Sequence, residues 1–287
     1  MARRRRFRHS TIALIYDFDG TLTPQPMQEY TVLPKLGIPP AKFWRQVKQE
    51  VEGTGGDEML TYMRLLIKKL EERAEHLNRR DLRRLGKKIE YFPGVSSWFD
   101  RIAAYVRAKG GGAVKLENYI ISAGNKELLD GITIRKHFER IFASEYFFDH
   151  HDRATFPNIL VNDTIKTQYI FRVNKGLDAP INEYMPEDKR RIPFSNIVYL
   201  GDGMTDVPGM TVTKKNGGYA IAVHKPRVRK SIQMCKRLLK AGRIDFFAPA
   251  DYSAGRVLEK RVQLILDEII AKILYQRELF AAKLSVD

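Results

Sequence analysis

The run Ile12-Ala13-Leu14-Ile15, followed at once by Asp17-Phe18-Asp19-Gly20-Thr21, constrains the fold more than any other stretch of the chain. Apolar residues without polar alternation suit a strand buried on both faces, as in a parallel sheet. Side chains alternate along an extended chain, so Asp17 and Asp19 project to one side and Phe18 to the other. Gly20 then lets the chain turn. In open parallel sheets ligands bind beyond the carboxyl ends of the strands, where these aspartates fall. One carboxylate of such a pair can attack phosphorus while the other supplies and recovers a proton. Crowded carboxylates cannot both ionise freely, so an ion or a proton has to hold the site together.

Three further stretches follow in order. Tyr119-Ile120-Ile121-Ser122-Ala123-Gly124 is a hydrophobic strand ending in a hydroxyl residue. Lys175 is the lysine of Arg172-Val173-Asn174-Lys175-Gly176. Ile197-Val198-Tyr199-Leu200-Gly201-Asp202-Gly203-Met204-Thr205-Asp206 is a strand ending in Gly-Asp with a second aspartate beyond. With the first, these stretches resemble the four motifs of the haloacid dehalogenase-like hydrolases, over roughly residues 11–255. The layout is most similar to the phosphoserine-phosphatase-like branch, whose members carry a helical cap.

The resemblance implies an α/β fold: a Rossmann-like, mostly parallel sheet with helices on both faces and an inserted α-helical cap domain. It implies that Asp17 attacks phosphorus, and that Asp19 protonates the leaving oxygen and then activates water. It implies Mg²⁺ held by Asp17, the Asp19 main-chain carbonyl and Asp202, with Asp206 in support. Thr21, Ser122, Ala123 and Lys175 complete the phosphate clamp. Lys166 competes with Lys175; the Lys175-Gly176 pair opens the segment leading to the fourth motif, which favours Lys175 and leaves Lys166 as a charge on a strand surface. Family members that act on carbon–halogen bonds lack the acid at the position of Asp19, so phosphate monoester hydrolysis is expected. A phosphotransferase or mutase would use the same residues.

The chain has 287 residues, enough for one full core and a substantial insert. Its one cysteine, Cys235, excludes an internal disulfide framework and fits a reducing compartment; it sits among basic residues but has no base or partner motif. No run reaches the length of a membrane span, and the apolar run after Arg3-Arg4-Arg5-Arg6 is too short for a cleavable signal, so a cytoplasmic protein is expected. Fifty Lys and Arg against 34 Asp and Glu give a net charge of +16. That excess allows a nucleic-acid partner or a polynucleotide end as substrate, or a binding protein that keeps the fold without the chemistry. Yet the basic residues are spread along helices with no nucleic-acid motif, and all four catalytic aspartates are present. A small phosphorylated substrate is the expected partner.

Residues 1–22 and 93–287 are expected to form the catalytic core, with 1–10 a basic arm, and residues 23–92 the helical cap. Pro39-Pro40 open one cap helix. Gly53-Thr54-Gly55-Gly56 breaks it, and Asp57 caps a second, whose Met59, Met63, Leu66 and Leu70 share one face. Leu82, Leu85 and Ile89 mark a third. Arg45 and Arg64 are candidates for gripping an anionic group of the substrate. After Trp98-Phe99 and Gly110-Gly111-Gly112 comes the strand to Ser122. A helix from about Lys126 would aim the N–H groups of Ala123, Gly124 and Asn125 at an anion. Alternation in Thr164–Phe171 predicts a half-exposed hairpin strand. His150-His151, with Asp149 and Asp152, reads as a polar hairpin tip, because adjacent turn residues do not converge on one ion. A long C-terminal helix, Arg256 to about Lys283, carries Val257, Val262, Leu264, Ile265, Ile269, Ile273 and Leu274. Its apolar face packs on the core or serves a dimer.

Overall fold

The structure, a computed structural model, describes residues 7–285. Seven strands form one sheet: β1 Thr11–Tyr16, β2 Lys115–Asn125, β3 Arg140–Phe148, β4 Ala154–Ile159, β5 Ile197–Gly201, β6 Tyr219–His224 and β7 Phe246–Pro249. Their order is β4-β3-β2-β1-β5-β6-β7, and only the β3–β4 pair is antiparallel. The sheet is the mostly parallel one expected. Eleven α-helices accompany it among the described residues. Five lie between β1 and β2: α1 Met27–Tyr30, α2 Val32–Lys35, α3 Pro40–Thr54, α4 Glu58–Glu71 and α5 Arg79–Gly86. The others are α6 Val95–Lys109, α7 Lys126–Leu129, α8 Ile165–Lys175, α9 Val207–Lys215, α10 Arg229–Lys240 and α11 Val257–Leu284.

The position of β1 explains why its sequence does not alternate. It lies between β2 and β5, and both of its faces are covered. Ile12, Leu14 and Tyr16 enter a core with Trp98 and Phe99 of α6 and Val262 and Ile269 of α11. Ala13 and Ile15 enter a second core with Ile170 and Val173 of α8 and Met210 of α9. The side chains from Ile12 to Ile15 are therefore all apolar, and parity sends Asp17 to the α8 side of the sheet.

The residue 23–92 stretch leaves and returns at adjacent points, where Phe92 N–H donates to the Leu22 carbonyl at 2.9 Å. Pro40 begins α3, and Gly55 ends it at φ +68°. The Asp57 carboxylate accepts from the N–H groups of Met59 (2.8 Å) and Leu60 (3.0 Å), the expected cap of α4. Met63, Leu66 and Leu70 are buried along that helix. α5 buries Leu82 and Leu85 but stops at Gly86, so Ile89 is buried beyond the helix rather than on it. Two glycines bring this insert against the core. A Cβ on Gly86 would lie 2.1 Å from the Leu128 carbonyl oxygen, and one on Gly131 would lie 1.8 Å from that of Arg83.

Three expectations are corrected. Thr164–Phe171 is not a strand: residues 165–175 form α8. The Asn162 side chain accepts from Ile165 N–H at 3.1 Å and starts the helix. Its buried face is Lys166, Ile170, Val173 and Asn174, a helical spacing that the period-two appearance of Ile165, Thr167, Tyr169 and Phe171 conceals. Second, β2 runs on to Asn125 and α7 is a single turn. Third, the arm is only partly an arm. Arg3–Arg6 lie outside the described residues, but Phe7 packs on Phe280 with ring centroids 6.0 Å apart. The long C-terminal helix is present, burying Val262, Ile265, Ile269 and Ile273 while Val257, Leu264 and Leu274 face outward. Asp149–Asp152 form the tip between β3 and β4, with β4 running from Ala154 to Ile159. Among the described residues no helix is long and apolar enough to cross a membrane.

Glu127 of α7 is a buried acid outside the catalytic machinery. One carboxylate oxygen accepts from Tyr146 N–H at 3.0 Å; the other has no hydrogen-bond partner among the described residues. Burial pushes its pKa from 4.5 up to about 7. Because the folded value is the higher one, the native state holds the proton more tightly than the unfolded chain. The resulting stability is complete below pH 4.5 and is lost as pH rises toward 7, an effect of at most about 3 kcal/mol. Glu127→Gln keeps the acceptor and has no charge to bury. Its melting temperature is expected to exceed that of the wild type by a few degrees at pH 8 and to match it near pH 4.5. Equal melting temperatures at pH 8 would disprove the assignment.

Candidate active site

The carboxyl ends of β1, β2 and β5 open on a cavity of about 310 Å³, roofed by the inserted helices. Asp17 follows β1 and is 5% exposed. Its N–H donates to the Leu200 carbonyl at 2.9 Å, which ties it to the end of β5. One carboxylate oxygen accepts from Lys166 Nζ at 2.7 Å and the other from the Thr21 hydroxyl at 3.2 Å. Asp19 also lines the cavity, and one of its oxygens accepts from Met27 N–H at 2.8 Å, at the start of α1. The turn between them depends on Gly20, at φ +82°. A Cβ there would also fall 2.2 Å from an Asp202 carboxylate oxygen.

Asp206 is fully buried and fully engaged. It accepts from Lys166 Nζ (2.7 Å), the Tyr199 hydroxyl (2.8 Å), and the N–H groups of Asp202 (3.1 Å) and Gly203 (3.3 Å). It thereby shapes the loop that presents Asp202 and holds Lys166 in place. The Asp202 carboxylate has no hydrogen-bond donor among the described residues. Asp17, Asp202 and Asp206 each bring an oxygen within 4.8 Å of the others.

The electrostatics show a site short of positive charge. Burial, then the neighbouring Asp206, lifts the pKa of Asp17 to about 6. Burial, then Asp17, lifts Asp19 to about 8. Burial, then Asp17 and Asp206, lifts Asp202 to about 8. Burial alone would lower Lys166, but the carboxylates of Asp17 and Asp206 overcome it and hold the ammonium charged. One lysine faces four carboxylates. An all-oxygen donor set with a free carboxylate fits a hard divalent cation.

The expected residues divide as follows. Asp17, Asp19, Asp202 and Asp206 converge. Ser122 and Ala123 line the cavity; the Ser122 oxygen accepts from Gly124 N–H at 3.0 Å, which leaves its own proton free to donate. The Thr21 hydroxyl donates to Asp17 at 3.2 Å and so steadies that carboxylate. Asn125 N–H faces the Met27 sulfur at 3.2 Å, so α7 does not turn its first N–H groups together on one anion. Lys175 is misplaced: its Nζ is bound by the carbonyls of Ile181 and Glu183, each at 2.5 Å, away from the cavity. The lysine of the site is Lys166, on the inner face of α8. Arg64 pairs with Glu50, and Arg45 is exposed on α3; neither lines the cavity. Cys235 is buried and burial raises its pKa to about 11, which fits an inert thiol.

Residues 14–211 match the profile of the haloacid dehalogenase-like hydrolase family. The chain belongs to the haloacid dehalogenase-like hydrolases. The chain is also 30% identical over 275 residues to an uncharacterized protein of Borreliella burgdorferi, covering 88% of this chain and 95% of that one. A substrate-bound phosphoserine phosphatase has a similar fold, with a TM-score of 0.54 at 16% identity, covering 88% of this chain and 98% of that one. A family hydrolase from Salmonella enterica serovar Typhi is similar at a TM-score of 0.53 and 19% identity, covering 77% of this chain and 65% of that one. These structures share the hydrolase fold.

Proposed function

We propose that this hydrolase is a Mg²⁺-dependent phosphatase acting on phosphate monoesters through an aspartyl-phosphate at Asp17. The observation that carries this reading is the Asp17 carboxylate, held in the cavity by Lys166 with Asp19 beside it. The Asp17 oxygen attacks phosphorus, and the bond from phosphorus to the ester oxygen breaks. Asp19, whose pKa of about 8 lets it keep a proton at neutral pH, gives that proton to the departing alkoxide. The resulting Asp19 carboxylate then takes a proton from water as the water attacks phosphorus. The Asp17–phosphorus bond breaks and inorganic phosphate leaves. Lys166 and the Ser122 hydroxyl neutralise and orient the phosphate oxygens.

Asp17, Asp202 and the Asp19 main-chain carbonyl would hold the cation, with Asp206 fixing the loop of Asp202. When bound, Mg²⁺ offsets the repulsion between the carboxylates and an anionic substrate. A cavity of about 310 Å³, at the lower end of the usual ~300–1,000 Å³, favours a small ester over a polynucleotide end. The residue 23–92 insert acts as the cap that encloses it. Chelation by EDTA is expected to reduce release of phosphate from p-nitrophenyl phosphate to background, and added Mg²⁺ to restore it. Full activity after exhaustive chelation would refute the metal requirement.

A further inference from the structure

Opposite the residues that the core contributes, Ser122, Ala123, Gly124 and Thr205 among them, the cavity wall is built by the insert, and its chemistry is one-sided. Glu29 of α1 brings a carboxylate, Trp44 of α3 and Tyr62 of α4 bring aromatic rings, and Glu58, exposed at the start of α4, borders the opening. Glu29 is oriented by Trp44, whose indole N–H donates to one carboxylate oxygen at 2.8 Å. The other Glu29 oxygen accepts no hydrogen bond among the described residues. The Trp44 and Tyr62 rings meet edge to face, with centroids 5.9 Å apart. Among the described residues the only cationic side chain on the wall is Lys166, which sits at the floor between Asp17 and Asp206.

A monoester with its phosphorus at Asp17 lays its alcohol part against this wall. A second acidic group there, carboxylate or phosphate, would face the Glu29 carboxylate with no cation beside it to neutralise the pair. A cationic amine would instead meet the free Glu29 oxygen, with its carbon atoms against the aromatic rings. We infer that the substrate is a phosphate monoester of an amino alcohol, its amine positively charged and its alcohol part free of any second acid. The inference rests on the phosphatase reading and names the substrate class of the same cavity.

The test is phosphate release from phosphoethanolamine, phosphocholine, glycerol 3-phosphate and phosphoserine, with p-nitrophenyl phosphate as a reporter of the chemistry alone. The better of the two amine esters is expected to exceed glycerol 3-phosphate and phosphoserine in kcat/KM by at least ~10-fold. Glu29→Gln, whose amide oxygen can still accept from Trp44, is expected to reduce the amine-to-glycerol ratio by ~10-fold or more, chiefly through KM. Hydrolysis of p-nitrophenyl phosphate with no preference for the amine esters would overturn the inference and leave the phosphatase reading standing. A ratio unmoved by Glu29→Gln would also overturn it. No release from any ester would remove the phosphatase reading, and the inference with it. The wild-type panel decides the matter even where the variant does not fold.

Discussion

Asp17→Asn is expected to abolish phosphate release, with a loss of at least ~10⁴-fold in kcat. The amide is nearly isosteric but cannot attack phosphorus, and it is a poorer ligand for a cation. The variant should still fold. Lys166 keeps its 2.7 Å contact with Asp206, and the Asp17 amide oxygen can still accept from Thr21. Removing one charge also relieves the crowding that lifts Asp202 to about 8. The check is steady-state release of phosphate from p-nitrophenyl phosphate beside a melting curve. A folded variant within ~10-fold of wild-type activity would rule out Asp17 as the nucleophile.

The second large effect belongs to Lys166. Lys166→Met removes the cation that, among the described residues, Asp17 and Asp206 share, and loss of one such electrostatic contact at a reacting phosphate is expected to lower kcat by ~10²–10³-fold. It also leaves two buried carboxylates unpaired, a penalty on the order of 3–5 kcal/mol if both stay ionised. Asp17, with a pKa of about 6, can instead take up a proton, so the loss of stability should be smaller at pH 5 than at pH 8. Lys175→Met is the comparison. Its ammonium only ties down the Ile181 and Glu183 carbonyls, so activity should stay close to that of the wild type. If the two variants exchanged these outcomes, Lys175 would be the phosphate-binding lysine after all.

Those two lysines mark the boundary between what the sequence specifies and what it does not. Asp17, Asp19 and Asp202 are legible because they follow directly on the ends of apolar strands, and Asp206 because it comes a short turn later. A parallel sheet must be buried on both faces, so a carboxylate that ends such a run has nowhere to sit except the rim where ligands bind. The insert is legible for a related reason: helical spacing, Pro40 and the Asp57 cap are local signals, and all three hold.

Lys166 is different. Its neighbours alternate as a strand would, and a lysine in an alternating segment reads as exposed. Only α8 packed against the α8-side core, with Ile170 and Val173 in register below it, turns the ammonium inward to Asp17 and Asp206. Burying that charge is tolerable because two carboxylates, distant in sequence by 149 and 40 residues, meet it there. Likewise the free face of Glu29, and the absence of Arg45 and Arg64 from the cavity, follow from how the five inserted helices dock. The chain by itself determined β1, β2 and β5, the aspartates beyond β1 and β5, and the family. The tertiary packing decided which lysine meets Asp17 and Asp206 and which charges line the cavity, because both depend on contacts between segments that no local pattern couples.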